Sequence, residues 1–247
     1  MTEKKAAIVL AAGKGKRMKS DRAKVLHEVN GRPMICRVLD TLNAVNFEKI
    51  VVVIGYQGEQ VQEALADYVV EFAWQHEQLG TGHAVMMTEN LMRDFDGTTL
   101  VALGDVPFLS VGSIKRLLET HRQTEASATC LSAVVDDASG YGRIIRKGDS
   151  SILLDIIEHR DADEEIRRIG EFNTGTFCFD NRALFTALSE LGNDNSQQEF
   201  YLTDCIKIMR NKSLVTSVVA ADNADEVEGV NSIEQLERLA RLFSDRG

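Results

Sequence analysis

A basic, glycine-containing loop near the amino terminus carries the residue types best suited to phosphate chemistry. It reads Leu10-Ala-Ala-Gly-Lys-Gly-Lys-Arg-Met18 and is followed by Lys24. The apolar run before it predicts a buried strand, and Gly13 and Gly15 permit a tight turn in which backbone N–H groups converge. Such amides, with the cations of the loop, can bind a phosphate. We therefore expect a nucleoside triphosphate site here, and a strand-to-helix turn with a solvated basic rim is the alternative.

Two better-known glycine loops do not fit this segment. A dinucleotide-binding fingerprint requires a third glycine at the position that Met18 occupies. A P-loop requires glycine at that same position, followed by lysine and then serine or threonine. The loop therefore belongs to neither class.

A second chemical feature is the segment Gly104-Asp-Val-Pro107, which follows an apolar run. A carboxylate directly after a glycine at a strand end can hold a magnesium ion beside a phosphate, and Asn231 could supply a second oxygen from the end of a short strand. Asp105 could instead cap a turn, and Asn231 could be the N-cap of the last helix, with Ser232 competing for that position.

Further polar residues stand at places where an apolar pattern is interrupted. Gln75 and the turn at Gly80 and Thr81 could read the edge of a base, although Thr81 could equally be a helix N-cap. Glu158 and Asn173 interrupt predicted strands. Such residues usually face solvent and less often bind sugar hydroxyls. The five histidines show no metal-ligand spacing and are expected to be surface or internally satisfied residues.

The pattern of elements predicts an α/β fold. Strand-like and helix-like segments alternate to about residue 125, which indicates a doubly wound, mostly parallel sheet with ligands at the carboxyl ends of its strands. The second half is less regular, with hairpin strands at 140–146 and 152–157. We expect one domain over residues 1–247, with a nucleotide half to about 125, a second half over about 126–231 and a C-terminal helix over 232–247.

Composition restricts the classes of partner. The 247-residue chain has a net charge of −10, which argues against general binding to nucleic acid or anionic membranes. No apolar run approaches the ~18 residues of a membrane span. Its four cysteines are widely spaced, as expected for free thiols in the cytoplasm.

Taken together, the motifs resemble those of N-acetylglucosamine-1-phosphate uridyltransferases. The resemblance rests on the first loop with Lys24 and on five further segments: Gln78-Leu-Gly-Thr-Gly-His-Ala84, Gly104-Asp-Val-Pro107, Gly140-Tyr-Gly-Arg143, Asn173-Thr-Gly175 and Glu226-Val-Glu-Gly-Val-Asn231. These occur in the family's order over about residues 5 to 240. The family implies a Rossmann-like nucleotide-diphospho-sugar transferase fold with a smaller mixed β part for the sugar.

The resemblance also implies a reaction. A sugar-1-phosphate oxygen would attack the α-phosphorus of UTP in line and release pyrophosphate, with magnesium as cofactor. No protein nucleophile is needed, since positioning and charge neutralisation suffice. It implies Arg17 and Lys24 as catalytic residues and Asp105 and Asn231 as metal ligands. The implied substrate contacts are Leu10, Ala11, Ala12, Gly13, Gly15, Gln75, Gly80, Thr81, Leu103, Gly104, Gly140, Glu158, Asn173 and Asn231.

Three features depart from the family pattern. Leu103 stands where tyrosine is common, and Ala23 replaces the proline before the catalytic lysine. The β-helix that follows in many relatives, which acetylates glucosamine-1-phosphate and forms a trimer, has no counterpart here. We therefore expect a monomer or weak homo-oligomer without acetyltransferase activity. The alternatives are the same reaction on another sugar-1-phosphate, prompted by Leu103, and an inactive regulator that binds a UDP-sugar.

Overall fold

One mixed sheet organises the molecule. The computed structural model describes residues 4–18 and 20–244. Within them the strands are β1 (Lys5–Leu10), β2 (Glu28–Val29), β3 (Arg32–Pro33), β4 (Lys49–Ile54), β5 (Glu71–Trp74), β6 (Thr98–Leu103), β7 (Ala128–Val134), β8 (Arg143–Arg146), β9 (Leu153–Ile157), β10 (Glu171–Asp180) and β11 (Thr216–Ala220). The main sheet has the strand order β11-β7-β10-β6-β1-β4-β5.

The direction of the strands confirms the predicted fold class. Strand β1 pairs in parallel with β4 and β6, β4 with β5, and β11 with β7. Only β10 on this path runs antiparallel to its neighbours. The predicted hairpin β8–β9 extends from β10. Leu10 lies opposite both Val53 and Leu103, so the carboxyl ends of the three central strands form one edge.

Helices cover both faces of the sheet, as its apolar strands require. They are α1 (Met34–Val45), α2 (Gly58–Ala64), α3 (Thr81–Met86), α4 (Glu89–Met92), α5 (Val111–Gln123), α6 (Glu164–Arg167), α7 (Asn181–Leu188), α8 (Asp204–Asn211) and α9 (Ile233–Leu242). The sequence pattern predicts one helix through Met86 and Leu91. The structure divides it at Thr88, whose hydroxyl donates to the Val85 carbonyl at 2.7 Å. None of the helices within residues 4–18 and 20–244 is long and apolar enough to cross a bilayer.

Besides the apolar residues packed on the two faces of the main sheet, a separate small hydrophobic core joins the C-terminal helix to the end of the first loop. Its buried members are Met18, Val29, Met34, Phe108, Val230, Leu239 and Phe243. Phe108 and Phe243 stack with ring centroids 4.3 Å apart. Met18 ends the first loop, and Val230 directly precedes Asn231. Packing of α9 therefore fixes two segments that the sequence analysis assigned to the site. Residues 245–247 of the predicted helix lie outside the described residues.

Candidate active site

Lys24, Asp105 and Asn231 come together at the carboxyl edge of the sheet. The Lys24 ammonium donates to Asp105 Oδ2 and to Asn231 Oδ1, the latter at 3.1 Å. The Lys24 and Asp105 side chains are only 15% and 14% exposed, so their charges are poorly screened by solvent. Lys24 begins a short 3₁₀ helix, Lys24–Leu26, after Ala23 at φ −53°. A proline would adopt a similar φ angle, so alanine at position 23 keeps the backbone conformation that proline would impose before Lys24.

Gly15 and Gly104 hold this cluster without lining a cavity. A Cβ on Gly15, which has φ +57°, would lie 2.6 Å from the Lys24 Cβ, so the loop packs directly on the lysine. The Gly104 amide donates to the Leu10 carbonyl at 2.9 Å, which joins the ends of β1 and β6. Glycine at these two positions permits the close approach of backbone that brings the loop, Lys24 and Asp105 together.

The oxygen atoms of Asp105 and Asn231 form a donor set suited to a hard cation. Asp105 Oδ1 is buried and has no hydrogen-bond partner within the described residues. Its other carboxylate oxygen and Asn231 Oδ1 already share the Lys24 ammonium. No group of three or more His, Cys, Asp or Glu residues in the described part of the chain could hold a metal. A cation here would therefore take two protein oxygens and draw the rest of its shell from water or phosphate.

The segment that presents Asn231 differs from the expectation. Residues 224–227 form a 3₁₀ helix and the residues up to Asn231 are irregular, so the predicted short strand is wrong. Ser232 is the N-cap of α9, since its hydroxyl accepts from the Gln235 amide at 3.2 Å. Gln235 Oε1 in turn accepts the Asn231 N–H at 2.8 Å. The capping role is thus filled by Ser232, which leaves the Asn231 side chain to face Lys24.

A cavity of about 300 Å³ opens beside the first loop. Its walls are formed by the ends of β1 and β6, the first loop and the segment after β5. Among its lining residues are Leu10, Ala11, Ala12, Gly13, Lys24, Gln75, Gly80, Thr81, Leu103 and Asp105. The cavity therefore collects most of the residues that the sequence analysis assigned to the nucleotide.

Gln75 and Gly80 form the far wall of this cavity. Gln75 is only 3% exposed. Its amide nitrogen lies 3.1 Å from the Gly80 carbonyl and 3.1 Å from His83 Nδ1. Gly80 has φ +112° and is the N-cap of α3. Thr81 is therefore not the N-cap, and its hydroxyl accepts from the Leu202 amide at 3.1 Å.

A second cavity of about 210 Å³ adjoins the first. Leu10, Thr81, Leu103 and Asp105 line both cavities. The remaining lining includes Gly140, Tyr141, Glu158, Asn173, Gly175, Thr203 and Asn231. Asp105 therefore stands at the junction of two compartments, one beside the glycine loop and one between β10 and the β8–β9 hairpin.

Glu158 and Asn173 face this second cavity, so neither is an ordinary surface residue. Thr203 Oγ1 donates to Glu158 Oε1 at 3.1 Å. Burial raises the pKa of Glu158, and the hydrogen bond from Thr203 opposes that effect. Asn173 Oδ1 accepts from the Gly175 amide at 2.8 Å and holds the turn that follows. Burial also raises the pKa of Tyr141 to about 12, so its hydroxyl keeps its proton at neutral pH.

Arg17 lies apart from Lys24, in a third cavity. This space of about 480 Å³ is lined by Arg17, Gly140, Glu158, His159, Arg160 and Gln197. It shares Gly140 and Glu158 with the second cavity. The structure therefore brings Arg17 to a cavity that Gly140 and Glu158 also line, whereas the sequence analysis grouped Arg17 with Lys24.

Some residues of the site gave no usable signal in the sequence. Thr203 belongs to a segment without a motif, and only the tertiary structure brings it to Glu158. His83 was expected to be a surface or internally satisfied residue, and its contact with the Gln75 amide makes it internally satisfied. Its place in the segment 78–84, one turn beyond Gly80, was the signal that could have indicated this contact.

Comparison with known proteins decides the family. A model of the MobA-like NTP transferase domain matches residues 7–203. The chain belongs to this family of NTP transferase domains. The bifunctional protein GlmU of Oceanobacillus iheyensis is 47% identical over 220 residues, which cover 89% of this chain and 48% of that protein. GlmU of Listeria monocytogenes is 46% identical over 243 residues, or 98% of this chain and 53% of that protein.

These relatives confirm the resemblance that the motifs indicated. The chain spans about half the length of the curated relatives it matches. Solved structures of other proteins support the fold. A UDP-glucose pyrophosphorylase complexed with UDP-glucose has a TM-score of 0.76 at 16% identity and covers 99% of this chain and 100% of its own. HddC from Yersinia pseudotuberculosis complexed with GMP-PN has a TM-score of 0.68 at 17% identity, and the match covers 96% of this chain and 99% of that one.

Proposed function

We propose that this chain transfers a uridylyl group from UTP to N-acetylglucosamine-1-phosphate and releases pyrophosphate. The observation that carries the proposal is the meeting of Lys24, Asp105 and Asn231 at the junction of two cavities. A reaction that joins two phosphorylated substrates needs such a junction, with a cation and hard-cation ligands where the phosphates meet. The 45–47% identity to GlmU proteins supports N-acetylglucosamine as the sugar.

The residues of the first cavity would hold the nucleotide. Gly13 and Gly15 belong to the turn whose amides would contact the triphosphate, and Ala11 and Ala12 would border the nucleoside. Gln75, Gly80 and Thr81 would contact the base. Lys24 would contact the α-phosphate, where it can offset the charge that develops during attack.

The residues of the second cavity would hold the sugar phosphate. Glu158 and Asn173 offer oxygen and amide groups to hydroxyls, and Gly140 allows a ring to approach the backbone. Leu103 and Leu10 line both cavities and would lie between the two substrates, and Gly104 joins the strand ends beside them. Arg17, at the rim of the third cavity, would contact the departing pyrophosphate.

Asp105 and Asn231 would hold magnesium, and Asp105 Oδ1, which is buried and has no hydrogen-bond partner among the described residues, fits that role. When bound, the ion would neutralise phosphate charge and orient the phosphate oxygens. Lys24 already contacts the two proposed ligands, so it would turn towards the phosphates when the ion is bound. The protein groups then only bind, orient and neutralise, which accords with a reaction that needs no protein nucleophile.

Pyrophosphate release from UTP and magnesium tests the proposal directly. Parallel reactions with N-acetylglucosamine-1-phosphate and glucose-1-phosphate distinguish the sugar. We expect turnover with the first and much less with the second. Turnover with glucose-1-phosphate alone would reject the sugar assignment. Tight UDP-sugar binding without turnover would reject the enzyme and leave a regulator. The same measurements would be run on a cytoplasmic extract fraction to check that the activity is located there.

A further inference from the structure

The contact between Gln75 and His83 bears on how the nucleotide base is chosen. Gln75 follows β5 directly, and its backbone amide donates to the Ile54 carbonyl at 2.8 Å, which fixes the start of its side chain. Only 3% of the residue is exposed, and it lines the first cavity. A primary amide in such a wall can present either its oxygen or its nitrogen to a ligand, and these two orientations favour opposite partners.

The neighbours of the amide decide the orientation. The Gly80 carbonyl can only accept a hydrogen bond, so the Gln75 amide atom 3.1 Å from it must be the nitrogen. His83 Nδ1 lies 3.1 Å from the same nitrogen. Both amide hydrogens are thereby engaged if Nδ1 accepts, which places the imidazole proton on Nε2. Among the described residues nothing donates to Gln75 Oε1, so the group offered to the cavity is an acceptor.

We propose that His83 is a positioning residue that, together with the Gly80 carbonyl, makes the nucleotide site selective for uracil over cytosine by holding the orientation of the Gln75 amide. Uracil carries an N–H donor at N3, which an acceptor can bind, whereas cytosine carries an acceptor at N3. A site that presents Gln75 Oε1 to position N3 therefore binds the first and repels the second. This inference rests on the proposed use of UTP, and it adds a residue that does not itself touch the substrate.

The local structure around His83 leaves little freedom for the contact to adjust. His83 lies in α3, one turn after Gly80, and its ring is tilted against the Phe200 ring at a centroid distance of 6.3 Å. The Gly82 amide donates to the Phe200 carbonyl at 2.8 Å, and the Phe200 amide donates to the Leu79 carbonyl at 2.8 Å. These bonds hold the start of α3, and the imidazole is therefore presented to Gln75 by a fixed backbone.

Calorimetric binding of UTP and CTP to the full chain, without sugar phosphate, gives the primary test. His83→Leu removes the acceptor, and we expect the ratio of the two dissociation constants to fall about tenfold, the effect of one hydrogen bond. His83→Asn restores an acceptor near the Nδ1 position and should keep most of the wild-type ratio. His76→Ala is the matched control, because the His76 side chain is exposed and stacks on the Trp74 ring at a centroid distance of 5.7 Å, with no hydrogen bond to the Gln75 side chain among the described residues.

Kinetics on the same variants distinguish positioning from general damage. In His83→Leu, KM for UTP should rise while kcat with UTP and KM for the sugar phosphate stay near wild type. A UTP to CTP ratio within twofold of wild type in a folded His83→Leu variant would overturn the inference, as would an equal loss in His83→Asn. If the wild type prefers UTP in binding but shows no turnover, the proposed function fails while the binding ratios still test His83. Equal binding of both nucleotides by the wild type overturns the inference.

Discussion

Replacement of Asp105 by asparagine separates the electrostatic role of this carboxylate from its structural role. The variant keeps the shape of the side chain and removes one charge from a pair whose members are 14–15% exposed. At an effective dielectric constant of ~20, two charges about 4 Å apart interact by about 4 kcal/mol before desolvation is counted. The loss of a group of this kind at the reacting phosphates should lower kcat by about two to three orders of magnitude.

Stability should respond much less than activity. The amide of the variant can still accept from Lys24, and Asn231 Oδ1 keeps its own contact at 3.1 Å. We expect a loss of about 1–2 kcal/mol, which for a chain of this size lowers Tm by roughly 3–6 °C. Asp222→Asn is the matched control, because Asp222 pairs with Arg116 at the surface with 74% of its side chain exposed. That variant should keep its kcat.

Steady-state pyrophosphate release and thermal melting, with and without UTP and magnesium, provide the assay. The wild type should gain Tm when both are added, and Asp105→Asn should lose most of that gain because a bound ligand stabilises only the state that binds it. A kcat within threefold of wild type would refute the assignment of Asp105 to the reaction. A fall in Tm of more than about 15 °C without ligands would show instead that the carboxylate is needed for folding.

Two further predictions concern the second cavity. Because burial raises the pKa of Glu158, the folded protein retains a proton that the unfolded chain releases, and stability falls as pH rises from the unfolded value to the folded one. Glu158→Gln removes this effect. The Tm of the variant minus the Tm of the wild type should therefore be larger at about pH 7 than at about pH 4. Equal differences at the two pH values would refute the prediction. A Cβ on Gly175, at φ +77°, would lie 2.5 Å from Leu103 Cδ1. Gly175→Ala should therefore raise KM for the sugar phosphate and cost about 1–2 kcal/mol, whereas Gly148→Ala, with φ +57° and no neighbour within 4 Å, should cost stability alone. Equal KM values in the two variants would contradict this.

Local patterns accounted for most of the elements. The apolar run at Lys49–Ile54 and the run at Thr98–Leu103 coincide with β4 and β6, because buried parallel strands need continuous apolar sequence. Boundaries shifted where capping decided them. The sequence pattern predicts a helix over 113–123, but α5 begins at Val111, because the Ser110 hydroxyl accepts from the Ser113 amide and caps the helix there. Thr88 divides the helix expected through Leu91, since its hydroxyl bonds back to the preceding turn.

The candidate site was predicted in its members more than in its geometry. Alternation of strands and helices brings Gly13 and Asp105 to one edge, since the carboxyl ends of parallel strands lie together. The separation of Arg17 into a cavity beside Glu158 could not be read in the same way. That position depends on the packing of Met18 into the core formed with α9, which involves residues more than 200 positions away.

The sequence by itself determined the α/β fold, the glycine loop, and the placing of Asp105 directly after a buried strand. These are local properties, set by hydrophobic period and by the backbone freedom of glycine. The tertiary structure alone decided that Lys24 meets Asp105 and Asn231, which lie 81 and 207 positions away in the chain. It also decided that Ser232 caps α9 and that His83 contacts Gln75. Each of these depends on distances between side chains of a few tenths of a nanometre, which packing sets and residue type leaves open.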